Sequence, residues 1–248
     1  MLINHLLTLQ KQDISMIADD FNISNQVTGN YSLPKNKFID LIIISIKSTH
    51  QDFLKALKSE GLDENLNENK LTQIFVEQND IHLRFLNLPI GVSREYSDVF
   101  YNTKGVPDFY YHYLELGKVN EPLFVVESKR LLSHSDKARE KEYVIGKTKS
   151  NNPNGGIERF KLGKHGIGLN QCGLMAFVEE QNNSFWFSKI NNWIIELAQV
   201  DTIWNKNEIL ITNENFNIYN HFTSTLNRKN ETIKLDHFWI EIKNSNSN

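Results

Sequence analysis

Apolar residues between positions 1 and 60 recur mostly with the spacing of amphipathic helices. Phe38, Ile42 and Ile46 share one helical face. Residues 43–44 lie off that face, so a buried strand is the alternative for this stretch. We expect residues 1–60 to form a helical N-terminal region.

The next apolar positions predict a further helix and then a strand. Leu71 and Phe75 line one side of a helix over residues 67–78. Partial alternation of apolar and polar residues follows from 81 to 88 and stops at Pro89, which predicts a strand.

Two strands joined by a tight turn are predicted in the middle of the chain. Residues 108–116 are dense in aromatic side chains, and residues 123–131 begin with an apolar run, as a central buried strand does. The tyrosines of the first strand can stack on bases, but an aromatic strand is more often core. Gly117 and Lys118 lie between the two strands and suit the turn.

Helices and strands also alternate in the C-terminal half. The patterns predict helices at 136–146, 157–163 and 185–200, a loop at 147–156, and strands at 174–179 and 233–242. Helices flanking a mixed central β-sheet make an α/β fold. We expect a core over residues 61–200 and a C-terminal extension, residues 201–248, with a late strand and a disordered tail.

The composition is that of an ordinary globular chain. The 248 residues are 40% apolar and 23% charged. The one cysteine, Cys172, excludes an intramolecular disulfide framework, and the eight histidines lack the close pairing of zinc ligands. With no basic flank of a targeting segment and no apolar run of membrane-spanning length, the chain is predicted to be cytoplasmic, with no membrane partner.

Positive charge is concentrated in one segment of an acidic chain. The net charge is −3, but residues 129–164 contain ten Lys or Arg against four Asp or Glu. Such a segment is typical of a surface that faces phosphate groups, and equally of a solvated helix face with charges of both signs. His134 and His165 flank it and can contact phosphate or lie on the surface.

The tripeptide Glu-x-Lys occurs three times, beginning at Glu68, Glu127 and Glu241, so alone it carries no information. Only the second copy follows an apolar strand and has a Pro-Asp pair, ending at Asp108, upstream of it. We therefore take the second copy as the candidate for chemistry.

Strand geometry favours the same choice. If Gly117 and Lys118 form the turn, facing positions add up to 235, and Asp108 faces Glu127. Lys129 is two residues beyond Glu127 and shares its face of the strand. Two carboxylates and an ammonium group are thus predicted to converge.

Such a cluster suits hydrolysis of a phosphodiester. Carboxylate oxygens bind Mg²⁺ or Mn²⁺, and the ion can polarise a phosphoryl oxygen and lower the pKa of a bound water. Asp108 and Glu127 are the predicted ligands, with Glu68 completing the shell through a water. Lys129 can orient the attacking water or stabilise negative charge. The alternative is a buried salt bridge with no catalytic role.

The Pro-Asp pair ending at Asp108 and the tripeptide Glu127-Ser128-Lys129, between two helices, resemble the PD-(D/E)xK nuclease superfamily. The resemblance covers about residues 68–180. It implies a restriction-endonuclease-like α-β-β-β-α-β core, metal-dependent cleavage of nucleic acid, and the backbone carbonyl of Ser128 as a further metal ligand. The acid on the preceding helix varies in the superfamily, so it is the least secure match.

A second segment carries another resemblance. Gly-Ile-Glu-Arg-Phe at 156–160, followed by Gly-Lys-His-Gly at 163–166, is similar to uncharacterised bacterial nuclease-like proteins, some of them from defence loci. That similarity implies that Arg159 faces the active-site helix or a phosphate; the alternative is a surface residue paired with Glu158 or Glu140. The predicted nucleic-acid-binding residues are Arg159, Lys161 and Lys164.

We therefore expect a Mg²⁺- or Mn²⁺-dependent endonuclease that acts on nucleic acid, in the first place DNA, in restriction or anti-phage defence. The alternative is a catalytically silent nuclease-fold protein that binds nucleic acid or a partner protein, and RNA stays open as a substrate. The resemblance also implies a homodimer or other subunits of a defence system.

Overall fold

The structure, a computed structural model, describes residues 35–59, 66–133, 137–212, 215–229 and 231–242. Three expectations lie outside the described residues: the helices before residue 35, the contacts of His134, and the tail after residue 242.

The first described element is helix α1 (Lys35–Ser59). It confirms the helical prediction for the stretch around Ile42, and the strand alternative is wrong. Ile42 and Ile46 are fully buried, whereas Ile44 is 50% exposed, as positions on opposite sides of a helix are. None of the described helices is long and apolar enough to cross a membrane.

Helix α2 (Glu68–Phe85) begins after Asn67, whose side chain caps the helix by accepting a hydrogen bond from the N–H of Lys70. The strand predicted for residues 81–88 is wrong, because the helix continues to Phe85. A short alternation of apolar and polar residues fits both periods, and here the exposed Ile81 lies on the outer side of the helix.

The remaining elements build a six-stranded mixed sheet with helices, an α/β fold. The strands are β1 (Ile90–Arg94), β2 (Phe109–Tyr113), β3 (Pro122–Leu131), β4 (Gln171–Val178), β5 (Tyr219–Asn227) and β6 (Thr232–Glu241). The helices among them are α3 (Lys137–Glu140), α4 (Gly156–Lys161) and α5 (Asn183–Val200). The strand order is β1-β2-β3-β4-β6-β5, with β3, β4 and β6 parallel and the other pairs antiparallel.

One prediction for the later elements needs correction, and one strand was not predicted. The helix predicted for 136–146 is shorter, because α3 passes into a 3-10 turn, Lys141–Tyr143, and then into the loop. Strand β5 was not predicted, and it pairs with the predicted late strand β6.

The predicted register of β2 and β3 is confirmed. Phe109 pairs with Val126 and Tyr111 with Phe124, so the positions add up to 235, until a bulge follows at His112. The connection is longer than a two-residue turn, but Gly117 lies in it with a φ of 74°, a conformation that favours glycine.

Strand β3 is covered on both faces. Phe124 contacts Tyr111 and Phe238, on the face covered by α1 and α2. Val125 belongs to the opposite cluster, with Phe160 of α4 and Trp186 of α5. Since side chains alternate along a strand, Glu127 points to the same side as Val125, towards α4.

Candidate active site

The structure brings the predicted acids and lysine together at the C-terminal half of β3. Asp108 lies directly before β2, and its Oδ2 accepts a hydrogen bond from the N–H of Ser128 at 2.6 Å. Glu127 is 1% exposed and the Lys129 side chain 7% exposed. The facing of strands β2 and β3 thus places both carboxyl groups beside one ammonium group.

Lys129 contacts three oxygen atoms at the centre of the site. Its Nζ donates to Glu127 Oε1 at 2.8 Å, to Glu68 Oε1 at 3.2 Å and to the carbonyl oxygen of Ser128 at 2.8 Å. Glu68 is the first residue of α2, so the helix acid reaches the centre through the lysine. The Ser128 carbonyl, expected as a metal ligand, accepts a hydrogen bond from Lys129 in this structure.

The loop and helix after β3 supply partners that were only partly predicted. Arg159 Nη1 donates to Glu127 Oε1, and its Nη2 donates to Asn154 Oδ1. His165 is buried, and its Nε2 lies 3.2 Å from Glu127 Oε2. Arg159 therefore faces the active site, and the alternative of a surface arginine paired with Glu158 or Glu140 is wrong.

His165 and Asn154 were missing from the predicted site. The sequence marked His165 only as a flanking histidine of the basic segment, and nothing marked Asn154. The two residues lie on either side of α4, and α4 itself points Arg159 at Glu127. Only the three-dimensional path of this loop, helix and turn over the end of β3 brings Arg159 and His165 to the Glu127 carboxylate and Asn154 to Arg159.

The charges of the site shift the pKa values in opposite directions. Burial, together with the neighbouring Glu127 and Glu68, raises the pKa of Asp108 to about 7, although Lys129 opposes this. Burial alone would raise the pKa of Glu127, but Lys129, His165 and Arg159 hold it well below its usual range. Despite burial, the surrounding carboxylates raise the pKa of Lys129 above its ordinary value. Glu127 is thus ionised at neutral pH, whereas the pKa of Asp108 lies near neutral pH.

The basic segment does not form one surface that faces phosphate. Lys161 is buried, with its Nζ 2.6 Å from Oε1 and 2.7 Å from Oε2 of Glu208, so its assignment to nucleic acid is wrong. Arg130 pairs with Glu179. Four of the ten cations in this segment, namely Lys129, Arg130, Arg159 and Lys161, are thus paired with acids inside the fold. Lys164 stays partly exposed.

The donor set fits a hard divalent cation. Glu127 Oε2 is buried with His165 Nε2 3.2 Å away, and the Asp108 carboxyl is partly buried near other acids, where its ionised form is unfavourable. A cation beside Asp108 would stabilise the ionised carboxylate. Among the described residues, no three His, Cys, Asp or Glu side chains form a preassembled metal cluster.

Comparisons of the chain with protein-family models, with curated proteins and with solved structures found no match. The function of the site therefore has to be inferred from its own geometry and charge.

The burial of Lys161 can be tested by stability. Replacing Lys161 with Met leaves the Glu208 carboxylate buried and without its cation, so the free energy of unfolding should fall by about 3–5 kcal/mol. The matched control, Lys164→Met, removes a partly exposed ammonium group three residues away and should change it by less than about 1 kcal/mol. Denaturant titrations measure both, and equal effects would contradict the buried pair.

The raised pKa of Asp108 predicts a specific pH dependence in metal-free buffer. Between about pH 4 and 7 the folded protein holds a proton on Asp108 that the unfolded chain has released, so this residue lowers stability as pH rises. The unfolding free energy of Asp108→Asn minus that of the wild type should therefore rise by on the order of 3 kcal/mol across this range. Taking the difference cancels other titrating groups, such as the buried His237. A pH-independent difference would show that Asp108 titrates normally.

Proposed function

We propose that the protein is a metal-dependent nuclease of the PD-(D/E)xK, restriction-endonuclease-like class, with its catalytic centre at Asp108, Glu127 and Lys129. The observation that carries the proposal is their convergence: Asp108 holds the backbone of Ser128 while Lys129 contacts Glu127 and Glu68. Two acids beside one lysine on neighbouring strands can hold a metal ion and stabilise negative charge, which suits cleavage of a phosphodiester.

The order of elements supports the same class. Helix α2, the antiparallel strands β1, β2 and β3, the helical segment ending in α4, and the parallel strand β4 follow one another along the chain. This is the α-β-β-β-α-β order that the resemblance implies. Within this order, Asp108 lies directly before β2 and Glu127 in the C-terminal half of β3.

Asp108 and Glu127 would hold a Mg²⁺ or Mn²⁺ ion, and Glu68 is close enough to Lys129 to support a water of its shell. The ion would supply Lewis-acid polarisation of the phosphate and a lowered pKa for a bound water. The protein's own contribution is orientation, because Lys129, Arg159 and His165 fix the Glu127 carboxylate before any ligand arrives.

Lys129 and Arg159 are the two cations that can respond to the substrate. Lys129 is anchored by three oxygens and stabilises negative charge that develops on the phosphate. The Arg159 side chain is 23% exposed, so part of its guanidinium faces outwards and can donate to a phosphate oxygen while the rest holds Glu127. The resemblance supports DNA as the substrate, a cytoplasmic role in restriction or anti-phage defence, and a homodimer or partner subunits.

Metal binding tests the two acids directly. Calorimetric titration of the wild type with Mn²⁺ should show binding, and Asp108→Ala should abolish it because one of the two ligands is removed. The control Asp52→Ala changes a half-exposed acid on α1 and should leave binding unchanged. Equal binding by the wild type and Asp108→Ala would exclude this carboxylate as a ligand.

Lys129→Met separates an enzyme from a structural ion pair. Glu127 keeps Arg159 and His165 beside it, so the variant should fold and bind Mn²⁺. Cleavage of plasmid DNA or of a single-stranded oligonucleotide, whichever the wild type cuts, should slow by about 10²- to 10³-fold, as after loss of one transition-state donor. The matched control is Lys70→Met, the exposed lysine of another Glu-x-Lys tripeptide, which should cleave normally.

Cleavage rates and melting temperatures measured on the same samples decide between the two roles of Lys129. A large drop in melting temperature with unchanged cleavage would identify a structural pair. Binding of nucleic acid without cleavage by the wild type, in either metal, would favour the catalytically silent alternative.

A further inference from the structure

The loop between β1 and β2, residues 95–107, leads directly into the active site. The N–H of Glu95 donates to the carbonyl oxygen of Asp108 at 2.8 Å, and the N–H of Tyr96 donates to that of Pro107 at 3.2 Å. Tyr96 anchors the loop in the core against Tyr110. The base of the loop is therefore joined to the candidate metal ligand Asp108.

Asp98 organises the tip of this loop. Its carboxylate accepts hydrogen bonds from the N–H groups of Phe100, Tyr101 and Thr103 and from the Thr103 hydroxyl, at 2.7–3.0 Å. These bonds fix the backbone on both sides of the two aromatic residues. The tip is thus held in one conformation before any ligand binds.

The far side of the loop is packed against the turn that carries His165. A Cβ atom on Gly105 would lie 2.1 Å from the carbonyl oxygen of Lys164, so the two backbones touch. A Cβ atom on Gly168 would lie 2.3 Å from the hydroxyl oxygen of Tyr101. The loop therefore contacts the turn whose His165 side chain lies beside Glu127.

The aromatic side chains at the tip of the loop are nevertheless about half exposed, with the hydroxyl end of Tyr101 resting against Gly168. Phe100 is 47% and Tyr101 52% exposed, with Val99 and Val106 beside them 66% and 46% exposed. A fixed loop that presents two aromatic rings to water loses the burial that these rings would otherwise gain. Such an arrangement is expected where a ligand covers the rings.

The surroundings indicate which ligand covers them. Lys104, on the same loop, is exposed, and Lys164, on the adjoining turn, is partly exposed. Aromatic rings flanked by lysines, next to the proposed phosphodiester site, match the chemistry of a nucleotide. The rings can stack on bases, and the ammonium groups can contact the phosphate backbone. Paired bases inside a duplex do not present their faces, whereas unpaired bases do.

We propose that loop 95–107 is a stacking platform for unpaired bases, and that the substrate of the adjacent centre is a single-stranded stretch of nucleic acid. The proposal rests on the proposed nuclease function, from which it takes the phosphodiester at Asp108 and Glu127. Phe100 and Tyr101 hold the bases, and the loop's link to Asp108 places the neighbouring phosphate at the acids.

The test compares single-stranded and duplex ligands in EDTA, where nothing is cleaved. Fluorescence anisotropy of labelled dT and rU oligonucleotides of about 20 nucleotides, and of a duplex of the same length, gives the affinities. Replacing Phe100 and Tyr101 together with Ala should weaken single-strand binding by roughly 5- to 150-fold for each base that loses its stacking partner. Duplex binding should stay unchanged, as should the salt dependence, because no phosphate contact is lost.

Two further variants control for side effects. Phe85→Ala removes a ring that is 83% exposed at the opposite end of α2 from Glu68, and it should change nothing. Replacing Phe100 and Tyr101 with Leu keeps apolar side chains but no rings, and it should weaken single-strand binding as the Ala variant does. Unchanged single-strand affinity in the Ala variant, or an equal loss on the duplex, would overturn the platform.

The outcome for the platform is separable from that for the nuclease. If the Ala variant loses affinity for the dT oligonucleotide alone or for the rU oligonucleotide alone, the platform is supported. The result then also shows whether the ligand is DNA or RNA. If the wild type binds single strands through the rings but cuts nothing in Mg²⁺ or Mn²⁺, the nuclease proposal fails and the platform stands. If the wild type and the Ala variant cut single-stranded substrates at equal rates, the nuclease stands and the platform is wrong.

Discussion

A carboxylate that is 1% exposed stays ionised only if positive charge and hydrogen-bond donors are brought to it, and Glu127 imposes this demand on the end of β3. Three parts of the chain meet it: Lys129 from the same strand, Arg159 from α4, and His165 from the turn after α4. The path of the chain between β3 and β4 is tied to that carboxylate. Moving any of these elements would leave a buried charge without its partners.

The site lies where the pairing of the strands changes from antiparallel to parallel. Strand β3 has an antiparallel neighbour on one side and the parallel strand β4 on the other. The antiparallel side brings the start of β2, and with it Asp108, beside Ser128. The parallel side requires a crossover, and the crossover carries the helix and turn that hold Glu127. Acids and cations can meet at this end of β3 because the two kinds of connection meet there.

The parts of the site that depend on local geometry could be predicted from the sequence. The alternation along β3 and one assumed turn position predicted the register of β2 and β3. That register places Asp108 beside the part of β3 that contains Glu127. Contacts across the crossover could not be predicted this way, because α4 and its turn approach β3 from a direction that no periodicity encodes. His165 and Asn154 were missed for that reason.

Charge was the least predictable property. The excess of cations in residues 129–164 suggested a phosphate-facing surface, but a count of charges ignores acids that are distant in sequence. Lys161 finds Glu208 and Arg130 finds Glu179, both far along the chain, and only the folded structure shows these pairs. Strand β5 was not predicted either. Most of its residues are polar, and which of them are buried becomes clear only from its pairing with β6.

The Asp108 carboxyl group differs from the buried ion pairs elsewhere in the described fold. Buried ion pairs are weak stabilisers, and apolar residues of similar size often serve as well. A network selected for stability would at least balance its charges, as Lys161 and Glu208 do. Here burial, together with the neighbouring Glu127 and Glu68, raises the pKa of Asp108 to about 7, although Lys129 opposes this. The ionised form of this carboxyl group is thus unfavourable in the folded chain, and a bound divalent cation is the kind of ligand that would stabilise it.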